Sequence, residues 1–138
     1  FSFFLFFFFL IRMNKPTLSK EKIKNDLAHF TGTNRYHLHR LNSETKIYLT
    51  DGCNYVRTKL NAYWLFDLII SWQLKTKVQE APFQVWKLNK QNDDTWLCQC
   101  EDGNNNVLAF QRIEFSDFPL DEIKIWVVDG VALLPSEY

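Results

Sequence analysis

Apolar residues are densest, within otherwise ordinary sequence, from Ala62 to Leu74, AYWLFDLIISWQL. They fall on nearly every side of a helix drawn through this stretch, with one carboxylate, Asp67, in its middle. A helix that is hydrophobic all round belongs in a core, so the pattern predicts a central helix here. Upstream, Ile23, Leu27 and Phe30 recur at helical spacing above a wet, basic side. They predict a surface helix from Ser19 to Phe30, stopped by Gly32. Tyr36 to Leu41 then alternates, and Lys46 to Leu49 is positioned to pair with it across an Asn42-Ser43-Glu44 turn, a short hairpin. Thr50-Asp51-Gly52 opens a short helix that runs to Leu60, with Asp51 as its expected N-cap. Cys53, Val56 and Leu60 face inward, and Asn61 is the expected cap of the central helix.

After Ala81 the period changes from helical to alternating. Five strands are predicted in meander order: Phe83 to Leu88, Thr95 to Cys100, Val107 to Phe115, Ile123 to Val128 and Val131 to Leu134. The sharpest local signal is Asp129-Gly130 between apolar runs, which fits a two-residue type I′ hairpin. Its register sets Val127 opposite Ala132 and Trp126 opposite Leu133. Both faces of the expected sheet carry apolar residues, and the central helix can cover one of them. The N-terminal helix or another subunit is expected over the second, and an aromatic face left uncovered marks an interaction site. The fold class is α+β: an N-terminal helix, a short hairpin, two consecutive helices and a roughly five-stranded antiparallel meander packed on the central helix.

Composition changes this picture at one end. Residues 1–12, FSFFLFFFFLIR, hold seven of the 13 Phe. The run is too short for a membrane helix and lacks the basic start and small-residue cleavage site of a signal peptide. The expectation is a Phe-rich, non-native leader at residues 1–12 and a single domain over residues 13–138 beginning at Met13, the only Met. With that start no membrane attachment is expected, and three Cys without an export signal point to a reducing, cytoplasmic setting. Net charge is zero, but residues 13–77 carry eleven Lys and Arg against five Asp and Glu, and residues 78–138 carry four against eleven. Either the halves attract within one domain, or the basic half serves a polyanion or an acidic partner.

Several stretches carry a resemblance: LTDG at Leu49 to Gly52, AYWL at Ala62 to Leu65, FQVWKL, DGNNNVL, DFPLDEIK and LLPSEY at Leu133 to Tyr138. In this order they resemble an uncharacterised bacterial family, a domain of unknown function often carried on mobile elements. The resemblance covers roughly Gly32 to Tyr138 and implies no activity. The Phe-rich leader, the Cys pair and the His pair have no counterpart in its pattern.

Candidate chemistry is sparse. His37 and His39 on one strand, and Cys98 and Cys100 on another, each project two ligand types to one side, the raw material of a Cys2His2 metal site. Trp96 shares the Cys face, so both thiols also read as core residues. Asp67 reads as a buried carboxylate bonded to Ser71, a hydroxyl or a basic side chain, or as an acid or base in a pocket. Glu114, Asp117, Asp121 and Glu122 cluster around one turn and offer oxygens to a divalent cation, or else form a solvated loop. Lys15, Lys20, Lys22, Lys24, Arg35 and Arg40 are the candidates for polyanion contact. No Gly-rich phosphate loop, nucleophile elbow or HExxH is present, and no cofactor is expected. The first expectation is therefore a non-enzymatic accessory or protein-interaction protein, homo-oligomeric or partnered through the aromatic sheet face. Nucleic-acid binding through the basic half is the alternative, and a small metal-dependent hydrolase the third.

Overall fold

The computed structural model describes residues 18–138; the leader expectation and Lys15 lie outside them. Helix α1 (Lys20–Ala28) is capped by Ser19, whose hydroxyl accepts the Lys22 N–H at 3.1 Å. It starts and ends one to two residues inside the expected span. Strands β1 (His37–Arg40) and β2 (Lys46–Leu49) form the expected hairpin. Its turn is held by the Asn42 side-chain oxygen Oδ1, which accepts the N–H groups of Glu44 and Thr45. Helices α2 (Asp51–Thr58), α3 (Tyr63–Trp72) and α4 (Thr76–Gln79) follow. The sequence pattern did not predict α4.

The remaining strands are β3 (Phe83–Lys90), β4 (Trp96–Glu101), β5 (Val107–Ile113), β6 (Glu122–Val128) and β7 (Val131–Leu133). They are five, as expected, but they are not a meander. The sheet has seven strands in the order β1-β2-β7-β6-β3-β4-β5, antiparallel except where β2 meets β7. Strand β6 leaves β5 and returns beside β3, giving the Greek-key order β6-β3-β4-β5. The connection, residues 114–121, buries Phe118 and Leu120, and Phe118 packs edge-on against Trp96 of β4. Those two anchors draw the chain back under β4 instead of letting it turn tightly at the sheet edge. The β6–β7 turn matches the expectation in full. Asp129 and Gly130 have φ of 51° and 75°, and Val127 and Trp126 face Ala132 and Leu133.

One core holds the domain together. Leu65, Phe66, Ile69 and Ile70 of α3 pack with Cys53 and Val56 of α2 over Trp86, Leu88, Cys98, Ile125 and Val127 of the sheet. Ile23 joins the same cluster, and Tyr55 of α2 donates to Asp26 of α1 at 2.7 Å. Helix α1 therefore adds to the helical side and does not cover the second sheet face. Beneath the end of α3, the buried Gln84 amide donates through Nε2 to Val78 O and Gln73 Oε1 and accepts at Oε1 from Gln73 Nε2 and the Trp86 indole N–H, so its polar atoms are satisfied.

Helix α3 departs from the expectation of an all-round apolar helix. Tyr63, Asp67 and Ser71 form an exposed stripe one turn apart, and the Asp67 side chain is 53% exposed. Asn61 does not cap it; it adopts φ of 54°, and no side chain caps the helix. Nor is Asp51 the cap of α2. Thr50 takes that place, accepting the Cys53 N–H, because the Asp51 carboxylate is occupied by Asn34 and His37.

The start of α2 also receives the far end of the chain. The Glu137 carboxylate accepts from the Thr50 hydroxyl at 2.6 Å, the Gly52 N–H at 3.0 Å and the Leu134 N–H at 2.9 Å. It thereby satisfies helix-start donors that otherwise lack partners. A Cβ on Gly52 would stand 2.5 Å from Glu137 Oε1 and 2.6 Å from Leu134 Cδ1. Gly52→Ala is expected to cost about 1–3 kcal/mol of stability in chemical denaturation, as overpacking does. A variant as stable as the parent would show that the C-terminal segment is not seated there.

Candidate functional site

The two histidines of β1 point to the helical side, and each meets an aspartate. His37 Nε2 lies 2.8 Å from Asp51 Oδ1. His39, 7% exposed, lies 2.8 Å from Asp67 Oδ1 through Nε2 and 3.1 Å from an Arg57 terminal nitrogen through Nδ1. A guanidinium only donates, so Nδ1 of His39 accepts and Nε2 carries the proton that goes to Asp67. Both ring nitrogens are used, which leaves no lone pair for base chemistry. Arg57 also donates to Leu38 O and Asn54 Oδ1 and stacks over the Tyr63 ring at 5.6 Å. Asp67 thus meets the basic side chain that the sequence suggested, at the surface and not in the core, while Ser71 donates to Leu68 O instead. The cluster ties β1 to α2 and α3.

The His pair and the Cys pair are not brought together. Strands β1 and β4 lie five strand spacings apart in the sheet, about 24 Å. Cys98 and Cys100 are buried side by side, and burial pushes both thiols up to about 12. At neutral pH they are protonated core groups. The acidic residues are spread out: Glu114 pairs with Arg112 and Asp121 with Lys20, Glu122 lies on β6 and Asp117 in the connection between β5 and β6. Among the described residues no three His, Cys, Asp or Glu side chains converge on one point. The basic candidates are divided as well. Lys22 pairs with Asp26 on α1, Lys24 is on the same helix, Arg35 precedes β1 and Arg40 is on the opposite sheet face from the histidines.

That opposite face is the largest feature the sequence left open. The registers of five strands align Leu38, Tyr48, Val131, Val128 and Phe83 in one cross-strand row. Leu38 and Tyr48 remain 39% and 40% exposed. The next row carries Leu133, Trp126 and Val85. Tyr138 folds onto this patch, its ring 5.4 Å from Trp126 and 6.1 Å from Phe83, while 78% exposed itself. A short 3-10 helix, Pro135–Glu137, runs along β6 at the margin of this patch and delivers Tyr138 to it; among the described residues no α-helix packs over it. Beside the patch, Val85, Lys87, Glu101, Lys124 and Trp126 line a depression of about 280 Å³.

Comparison with known proteins adds one assignment. The sequence model described as "Family of unknown function (DUF6876)" matches residues 21–138. The chain belongs to DUF6876. Neither curated proteins nor solved structures gave a match. The DUF6876 match spans nearly every described element, including residues 49–52 and 133–138, which meet at the Glu137 carboxylate. Sequence reading noticed both segments but had no signal for their contact, because they lie more than 80 positions apart. Among the described residues of this DUF6876 chain, no helix is long and apolar enough to cross a membrane.

Two outcomes follow from these groups. The His37 contact, with help from the Asn34 N–H, holds the Asp51 carboxyl below its ordinary value of 3.8. A depressed carboxyl stabilises the fold fully above the unfolded value and less as pH falls toward the folded one. The stability gap between the parent and Asp51→Asn should therefore shrink as pH falls below about 4 in urea titrations. A gap that stays unchanged from about pH 5 down to about pH 2 would contradict the contact. The thiols should ignore a disulfide reagent at pH 8 until the protein unfolds; rapid native reaction of Cys98 or Cys100 would contradict their burial.

Proposed function

We propose that this chain is a non-enzymatic binding protein whose working surface is the open face of its sheet. The observation that carries the reading is the apolar row from Leu38 to Phe83, exposed at Leu38 and Tyr48 and half-buried at Val131, Val128 and Phe83. Five adjacent strands present apolar residues outward, and among the described residues only Tyr138 and the short turn before it lie over them, an arrangement that marks partner surfaces. The residue types agree with this role. Tyr, Trp and Phe supply rigid contact area, and aromatic residues are enriched in interface cores. The polar groups on the helical side are bound to one another in structural pairs, so they do not compete as a site. Such a role suits the small accessory protein expected from the sequence, with a cytoplasmic setting read from its cysteines and a mobile-element setting from the family resemblance.

A photo-cross-linking residue placed in turn at Tyr48, Val131, Lys59 and Ser71 tests the reading in cells. Discrete protein adducts are expected from Tyr48 and Val131 and not from Lys59 or Ser71, which lie on the helical side. Adducts from the helical side, or none from the open face, would overturn it.

A further inference from the structure

We propose that the partner of this face is an acidic protein surface, apolar at its centre and rimmed by carboxylates. The inference rests on the open face being the working surface and specifies what fits it.

The charge of that face is the first argument. Although residues 78–138 are acidic overall, the strands place Arg40, Lys46, Lys87, Lys124 and Arg112 on the open side, against Glu101 and Glu122. The strand positions of the face therefore sum to a formal +3, but Arg112 is paired with Asp93 and Glu114 and Lys87 with Glu101, so its open cations are Arg40, Lys46 and Lys124 against Glu122. The position of the cations is the second argument. Arg40 and Lys46 pair across β1 and β2 one row beyond the apolar row, and Lys124 lies two rows below it on β6. Residues two apart on a strand are separated by about 7 Å, so cations stand on both sides of an apolar band about as wide as one helix. Among the described residues, Arg40, Lys46 and Lys124 have no acidic partner, whereas Lys87 is held by Glu101. An acidic rim on the partner supplies the missing counter-charges and steers its approach.

The same observations weigh against two other occupants. A second copy stacked face to face would set the open cations of one face, Arg40, Lys46 and Lys124, against those of the other. A single-stranded nucleic acid needs free ring faces for its bases, but Phe83, Trp126 and Tyr138 pack edge-on against one another and Lys46 already sits 5.7 Å over the Tyr48 ring. Leu38, Val128 and Val131 offer aliphatic contact and no stacking.

The test is fluorescence anisotropy with three labelled probes: a synthetic amphipathic peptide of leucine and glutamate, the same peptide with lysine for glutamate, and an oligothymidylate. The glutamate peptide is expected to bind at least about tenfold tighter than the lysine peptide, and to weaken with salt. Lys46→Glu, Lys124→Glu and Val131→Glu should each lower its affinity by about tenfold, and Lys59→Glu by less than about twofold. Unchanged melting temperatures check that the variants fold. Equal binding of both peptides that still requires Val131 would overturn the acidic partner while leaving the face as the binding surface. Binding of the glutamate peptide that ignores Val131→Glu would overturn both. Tighter binding of the oligothymidylate would replace the partner with nucleic acid, and a dimer in light scattering that Val131→Glu dissociates would replace it with a second copy.

Discussion

The architecture depends on one junction, the parallel pairing of β2 with β7. It is short: Tyr48 N–H donates to Gly130 O at 3.0 Å and Thr50 N–H to Ala132 O at 3.1 Å. Without it the N-terminal hairpin would be a separate two-stranded unit, which is marginal in water. The Glu137 carboxylate reinforces the junction from the far side. It binds Thr50 and Gly52, which continue β2 into α2, and Leu134, which follows β7. One side chain thus links the start of a helix to the last strand, and the hairpin becomes part of a seven-stranded sheet.

The uneven covering of that sheet follows from the same connectivity. Helices α2, α3 and α4 are consecutive between β2 and β3, and they lie on one side, over Trp86, Leu88, Ile125 and Val127. Helix α1 joins them through Ile23 and its bond to Tyr55. Among the described residues no α-helix is left for the other face, which is touched only at its margin by the 3-10 helix Pro135–Glu137 and by Tyr138. The junction also makes that face continuous, because the row from Leu38 to Phe83 crosses from β2 to β7 at Tyr48 and Val131. Closing the sheet and exposing the apolar row are one event.

Local features were legible in the sequence because local chemistry determines them. The Asp129-Gly130 turn requires positive φ at both residues, and its register followed. The hairpin, the Ser19 start of α1, and the inward positions Cys53, Val56 and Leu60 were readable for the same reason. What the sequence hid were contacts between distant residues. The return of β6 to β3 depends on Phe118 and Leu120 being buried, which no periodicity shows in an eight-residue connection. Asp67 looked buried because Tyr63, Trp64 and Leu68 surround it in sequence. Its exposed stripe appears only once His39 and Arg57 arrive from β1 and α2. Asp51 looked like the cap of α2, and Thr50 displaced it because His37 and Asn34 claim its carboxylate. The charge split between halves was real as composition but did not become a split between faces. Alternation on the strands sorts Lys87, Arg112 and Lys124 to the open side regardless of the acidic loops around them.

The most direct test of this account is native-state hydrogen exchange at the amides of Tyr48 and Thr50. Both donate across the β2–β7 junction, so they should be protected to nearly the level of global unfolding. In Glu137→Ala they should open earlier, while the core strands β3 and β6 keep their protection. Rapid exchange of Tyr48 and Thr50 in the unaltered protein would mean that the hairpin is not joined to the sheet, and that no continuous open face exists.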